Sequence, residues 1–277
     1  MSIKLISIDV DGTLINRQGD VTPATRSALQ RAADAGIHVT LNTGRPLSES
    51  GALLKALPMM RYVVLCTGAE VRDLKTGETI ARHGLTNEEN RRLYDLLSPL
   101  DGMIQIFNEF DGKLYNRAWD LARADRFCPP NLAKMCRETH VAVADLDAFM
   151  DGYTGTASKI HLFFPNHEEK LKAAALLEGL PFFVSESVPN DIEVMPLGVD
   201  KGTGLSALAA YLNLTPAEVM AVGDGENDLA MLRYAGLSVA MGNACDTVKK
   251  TARVVTETND EDGLAKAVER VLRGEWR

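Results

Sequence analysis

Apolar positions in this chain follow two rhythms. Residues 1–83 and 190–277 contain short, nearly continuous apolar runs at Leu5–Ile8, Ile37–Leu41, Tyr62–Cys66, Val219–Val222 and Ser238–Met241. Runs of that kind suit strands covered on both faces of a parallel sheet. Residues 84–189 change texture, and Met103–Phe107, Lys113–Asn116 and Lys159–Phe164 alternate apolar with polar positions. Alternation predicts an antiparallel sheet with one open face. Helix signals lie between the strands. Thr22-Pro23 supplies a capping hydroxyl and a proline at the first helical position, and Gly36 closes that helix. Ser48–Leu57, Lys201–Leu212, Asp228–Ala235 and Asp262–Leu272 read as further helices, Thr86-Asn87-Glu88-Glu89 opens another, and Val254-Val255 is a last short strand. Thr215-Pro216-Ala217-Glu218 is a capping box with too few residues behind it for a full helix.

Repeated strand–helix–strand units imply right-handed crossovers with helices on both sheet faces. The predicted fold class is therefore α/β: a doubly wound, mostly parallel, Rossmann-like core sheet from residues 1–83 and 190–277, interrupted by an inserted α+β domain at 84–189. The length of 277 residues agrees, at roughly 150 residues per domain.

Composition narrows the partners. A formal net charge of −8 argues against nucleic acid or an anionic membrane as the main partner. No apolar run approaches the ~18 residues of a spanning helix, and the amino-terminal apolar stretch is too short for a signal peptide. Cys66, Cys128, Cys136 and Cys245 lack C-x-x-C spacing, which predicts reduced thiols in a cytoplasmic protein. His83, His140 and His167 have no ligand spacing, so no zinc site is expected.

Chemistry concentrates where predicted core elements end. Asp9-Val10-Asp11-Gly12 follows the first strand, and a strand's period of two lets both carboxylates converge where the chain leaves the sheet. Converging buried acids call for a divalent cation. Thr43-Gly44-Arg45 leaves the second strand with a hydroxyl, an approachable backbone and a guanidinium. Lys201 sits at a helix start, and Gly223-Asp224-Gly225-Glu226-Asn227-Asp228 follows the strand Val219–Val222. Ligands of open parallel sheets sit beyond the carboxyl ends of strands, where the strand order reverses. Acids for a hard cation beside donors for an anion fit a phosphate held between Mg²⁺ and lysine. The last loop is not an EF-hand, because Leu229 stands where that loop needs glycine, and Lys201 precedes its glycine, unlike a P-loop lysine.

Asp9-x-Asp11-Gly12-Thr13, then Thr43, then Lys201, then Gly223-Asp224-x-x-Asn227-Asp228 resembles the four-motif pattern of the haloacid dehalogenase-like hydrolases across the whole chain. The inserted domain, and Met231 followed by Val239-Ala240-Met241-Gly242-Asn243-Ala244, resemble the Cof-type branch with its large α/β cap. The chain departs from that pattern at Thr67-Gly68-Ala69, where relatives usually carry Asn-Gly-Ala. The resemblance implies Asp9 as nucleophile forming an aspartyl-phosphate, and Asp11 as general acid and then base. It implies Mg²⁺ held by Asp9, the Asp11 carbonyl and Asp224, supported by Asp228. Thr43, the Gly44 amide, Lys201 and Asn227 would bind phosphoryl oxygens, with Arg45 and the cap residue Lys159 as substrate contacts. Arg82, Arg91, Arg117, Arg123 and Arg126 make the inserted region locally basic. Asp11 favours phosphatase or mutase chemistry over dehalogenation. The expectation is a Mg²⁺-dependent phosphatase acting on a small phosphorylated metabolite, as monomer or homodimer. The alternatives are a hexose phosphomutase and a non-catalytic metabolite-binding regulator.

Overall fold

The structure, a computed structural model, describes residues 2–108, 112–154 and 157–276. The chain divides into two compact units, one of Met1–Arg45, Ser50–Arg82 and Val199–Arg277, the other of Pro46–Glu49 and His83–Gly198.

The first unit is built on an eight-stranded sheet. Its order is Val254–Val255, Leu237–Ala240, Val219–Gly223, Leu5–Ile8, His38–Asn42, Tyr62–Leu65, Glu70–Asp73, Thr79–Arg82. The first six strands run parallel, while the last two turn back as a hairpin. Leu5 pairs with His38 on one side and with Val219 on the other. Sequence order therefore reverses between Leu5–Ile8 and Val219–Gly223, and the crevice beyond their carboxyl ends is the binding position of such sheets. Leu5, Ile6, Ile8, Val219, Met220, Ala221 and Val222 are fully buried, as expected of central strands. The helix Pro23–Asp34 starts as its sequence predicts, with Thr22 accepting from the Thr25 N–H at 3.2 Å. Sequence pattern did not disclose the hairpin, because Glu70–Asp73 and Thr79–Arg82 mix charged with apolar positions and carry no continuous apolar run.

The second unit carries a six-stranded sheet ordered Phe182–Ser185, Asp191–Pro196, Ala157–Phe163, Met103–Asn108, Leu114–Arg117, Val141–Val143. Its pairs are antiparallel except the last. Ile104, Ile106, Ile160, Leu162, Ile192 and Val194 point to one face and join a core with Leu93 and Leu97 of the helix Asn87–Leu97. That helix has the capping box expected of Thr86 and Glu89.

Contrary to the open face that the alternation predicts, all of Ala157–Phe163 is buried. Met103 and Phe163 on the second face pack with Leu121, Phe127 and Cys136. Gln105, Lys159, His161, Asp191 and Glu193 are also buried. The alternation records apolar against paired polar side chains, so the polar rows find partners inside the protein instead of water.

Candidate active site

Asp9 follows the last residue of the Leu5–Ile8 strand, and its N–H donates to the Val222 carbonyl at 3.0 Å. A wide turn over Val10–Leu14 follows, with Gly12 at φ 81°. Glycine is required there twice over: the backbone is left-handed, and a Cβ would lie 2.3 Å from an Asp224 oxygen. The two acid-bearing loops thus meet at van der Waals distance.

Lys201 begins the helix Lys201–Tyr211, capped by Asp200, whose Oδ1 accepts the Thr203 N–H at 2.8 Å. Asn42, at the end of its strand, donates to the Lys201 carbonyl at 2.9 Å. So held, the buried Lys201 ammonium donates to Asp9 Oδ1 and Asp228 Oδ1, each at 2.6 Å. The other Asp228 oxygen accepts the N–H groups of Asp224 at 2.9 Å and Gly225 at 3.0 Å. Asp228 is therefore committed to shaping the loop. Asp224 accepts from Thr13 Oγ1 at 3.0 Å and from Asn243 Nδ2 at 3.4 Å. Asn243 also donates to the Gly12 carbonyl at 2.8 Å, while its Oδ1 accepts the Asn259 N–H at 3.0 Å.

The electrostatics are those of excess negative charge. Burial, and then the Asp228 carboxylate, push Asp9 well above the ordinary carboxyl range despite Lys201. Burial and Asp228 likewise raise Asp224 to about 6. Burial would lower Lys201, but Asp228 and Asp9 outweigh it and hold the ammonium above its ordinary value. Oxygens of Asp9, Asp224 and Asp228 can all lie within 4.8 Å of one another. Three carboxylates around a single ammonium, two of them disfavouring their charge, fit a hard divalent cation with oxygen ligands.

Thr43 is buried just past His38–Asn42, the strand adjoining Leu5–Ile8, and its N–H donates to the Val64 carbonyl at 3.0 Å. Its carbonyl accepts the Thr67 N–H at 2.9 Å. The segment Cys66-Thr67-Gly68 is left-handed throughout, with φ of 49°, 59° and 96°. At Gly68 a Cβ would sit 1.9 Å from the Asp200 carbonyl oxygen, so the loop abuts the cap of the lysine helix. Asparagine adopts this backbone readily, whereas a β-branched residue does not, so Thr67 stands in a strained conformation.

The sequence-predicted residues thus separate into groups. Asp9, Lys201, Asp224 and Asp228 form one cluster. Thr43 and Gly44 lie on the adjacent loop, and Asn227 is half-buried within the turn Glu226–Asp228. Arg45 engages Asp11. Lys159, in the second unit, is buried against Glu193 and sits 4.6 Å from the Phe107 ring centre. Sequence reasoning missed Thr13, Asn243 and Asn259. Thr13 and Asn243 lie within quoted motifs, but nothing in their spacing announces a contact with Asp224 across the fold.

Doubly wound topology with an acid-rich crevice at the switch point defines an open-sheet α/β protein built to hold an anionic ligand through a cation. Residues 6–268 match the haloacid dehalogenase-like hydrolase family, and the chain belongs to it. It is a phosphatase of that family, a phosphoric monoester hydrolase. The chain is 32% identical to the 5-amino-6-(5-phospho-D-ribitylamino)uracil phosphatase YcsE of Bacillus subtilis (strain 168), over 97% of this chain and 95% of that protein. It is 28% identical to a second phosphatase of that name from the same organism, YwtE, covering 99% of this chain and 100% of the other. A haloacid dehalogenase-like hydrolase from Bacteroides thetaiotaomicron superposes with a TM-score of 0.84 at 30% identity, over 98% of this chain and 100% of that one. Among the described residues, no helix is long and apolar enough to cross a membrane.

Proposed function

We propose that this phosphatase hydrolyses small phosphorylated metabolites, sugar phosphates or phosphorylated cofactors, with Mg²⁺ and through an aspartyl-phosphate on Asp9. The observation that carries the reading is the buried chain Asp9–Lys201–Asp228 with Asp224 beside it. Two similar proteins named for a phosphorylated ribitylaminouracil support the substrate class.

Asp9 and Asp224, with the Asp11 carbonyl, would hold the cation, and Asp228 would brace the loop. Bound there, Mg²⁺ would neutralise charge on the phosphoryl oxygens and allow Asp9 to stay ionised. Phosphoryl transfer asks mainly for alignment and charge neutralisation. Lys201 fixes one Asp9 oxygen, leaving the other for in-line attack on phosphorus. Lys201, Thr43, the Gly44 amide and Asn227 hold the transferring oxygens. Asp11 gives its proton to the departing oxygen and then takes one from the attacking water.

Hydrolysis of an aryl phosphate, with Mg²⁺ and with chelator, is the first test. Activity should require the cation and fall by at least about 10⁴-fold in Asp9→Asn. Activity that persists in that variant or in chelator sinks the mechanism. A panel of sugar phosphates and phosphorylated cofactors then tests the substrate class.

A further inference from the structure

Asp11 is exposed, with 61% of its side chain accessible. An aspartate in that setting can exchange among staggered rotamers, yet both oxygens are held by one residue. Arg45 Nε donates to Oδ2 at 3.0 Å, and Nη2 donates to Oδ1. Two parallel donors meeting two acceptors form the fork-to-fork arrangement, which fixes direction as well as distance. Arg45 is anchored in turn. Its N–H donates to Thr43 Oγ1 at 3.2 Å, and its carbonyl accepts the Cys66 N–H at 3.1 Å. An exposed pair of this kind adds little to fold stability, so its consequence lies in orientation.

Resting on the mechanism proposed above, we propose that Arg45 is the positioning residue of the acid/base, presenting Asp11 in one direction from the turn that also carries Thr43. In the first half-reaction an Asp9 oxygen bonds to phosphorus, the bridging P–O bond breaks, and the Asp11 proton moves to the departing oxygen. In the second, a water oxygen bonds to phosphorus, the bond between the Asp9 oxygen and phosphorus breaks, and Asp11 takes the water proton. Each carboxyl oxygen has two lone pairs, so one guanidinium contact per oxygen leaves room for the moving proton.

The test exploits the leaving group. The ratio kcat/KM reports the steps up to departure of the first product, and it is measured for the wild type, Arg45→Gln, Arg45→Lys, Asp11→Asn and the double variant Arg45→Gln/Asp11→Asn. An aryl oxygen leaves without needing a proton, whereas a sugar-type alkyl oxygen needs one. Arg45→Gln should stay within about 3-fold on the aryl phosphate, which also reports that the variant is folded, and lose about 30-fold or more on the alkyl phosphate. Arg45→Lys should lose as much as Arg45→Gln, because an ammonium cannot form the fork. In the double variant Arg45→Gln should add nothing to the loss from Asp11→Asn. Equal losses on both substrates, full rescue by lysine, or losses that multiply in the double variant would each overturn the assignment and make Arg45 a direct contact of the phosphoester. Wild-type hydrolysis that survives Asp9→Asn instead overturns the mechanism on which the assignment rests.

Discussion

Asp9, Asp224 and Asp228 in the first unit and His161, Asp191 and Glu193 in the second offer a cation the same geometry, since each set can place its ligand atoms within 4.8 Å of one another. Each set also touches a buried lysine, Lys201 in one and Lys159 in the other. Their electrostatics are opposite. Around Lys201, burial and mutual repulsion drive Asp9 and Asp224 upward. Around Lys159, burial also pushes upward, but Lys159 and His161 overcome it and bring Glu193 below its ordinary value. His161 at 2.9 Å and the Ser187 hydroxyl at 2.5 Å do the same for Asp191. One cluster is short of positive charge, while the other is satisfied by its own side chains. Distance alone would nominate both as metal sites; charge balance selects the first.

The hardest blow to this contrast comes from breaking the lysine–carboxylate pairing in each cluster. Lys201→Met should cut kcat/KM by about 10³-fold, the scale of losing a preorganised charge at a transition state. Steady-state assays check it, and a loss under ten-fold refutes the electrostatic role. Glu193→Gln, in the balanced cluster, should lower unfolding free energy by about 3–5 kcal/mol, because Lys159 is left buried without its carboxylate. Urea denaturation measures that cost, and a neutral result means that the network is solvated.

Metal titration by calorimetry sharpens the comparison directly. Asp224→Asn should weaken Mg²⁺ binding by roughly 10- to 100-fold, while an intact second cluster contributes nothing. A second Mg²⁺ equivalent lost in Glu193→Gln contradicts the charge-balance argument.

Two smaller effects probe each unit separately. Within the second unit His140 bonds to Asn116 at 2.8 Å and Glu49 at 3.0 Å. Burial lowers its pKa, but contacts with Cys136 and Glu49 prevail and raise it from 6.5 to about 9. A folded-state pKa above the unfolded one stabilises fully below about 6.5 and is lost as pH climbs through about 9. The thermal midpoint should fall over that window in the wild type, and His140→Gln should flatten the fall. In the first unit, Thr67→Asn should gain about 1 kcal/mol by relieving the left-handed threonine. Denaturation midpoints decide that as well.

Legibility followed the range of the signal. Leu5–Ile8 and Val219–Gly223 could be read because continuous apolar runs mark strands covered on both faces. Asp9, Lys201, Asp224 and Asp228 could be read because chemistry at strand and helix ends has few alternatives, and the family pattern reinforced it. The pairing of Arg45 with Asp11 could not, because two loops meet there and no spacing encodes it. Nor could the second cluster, since only the register opposing His161 to Glu193 assembles it. The helices Pro130–Thr139 and His167–Leu177 are masked in the sequence by the alternating strands around them, and the first has no side-chain cap to mark its start.

The pairing of Leu5 with Val219 has a consequence for biosynthesis. A ribosome delivers Asp9 and Asp11 long before Lys201 and Asp224, and the strand carrying Asp9 waits without its neighbour on that side. Residues 83–198 emerge in between and possess a core of their own. Nascent or truncated chains that end before Asp228 would be catalytically mute, however well their inserted unit had folded.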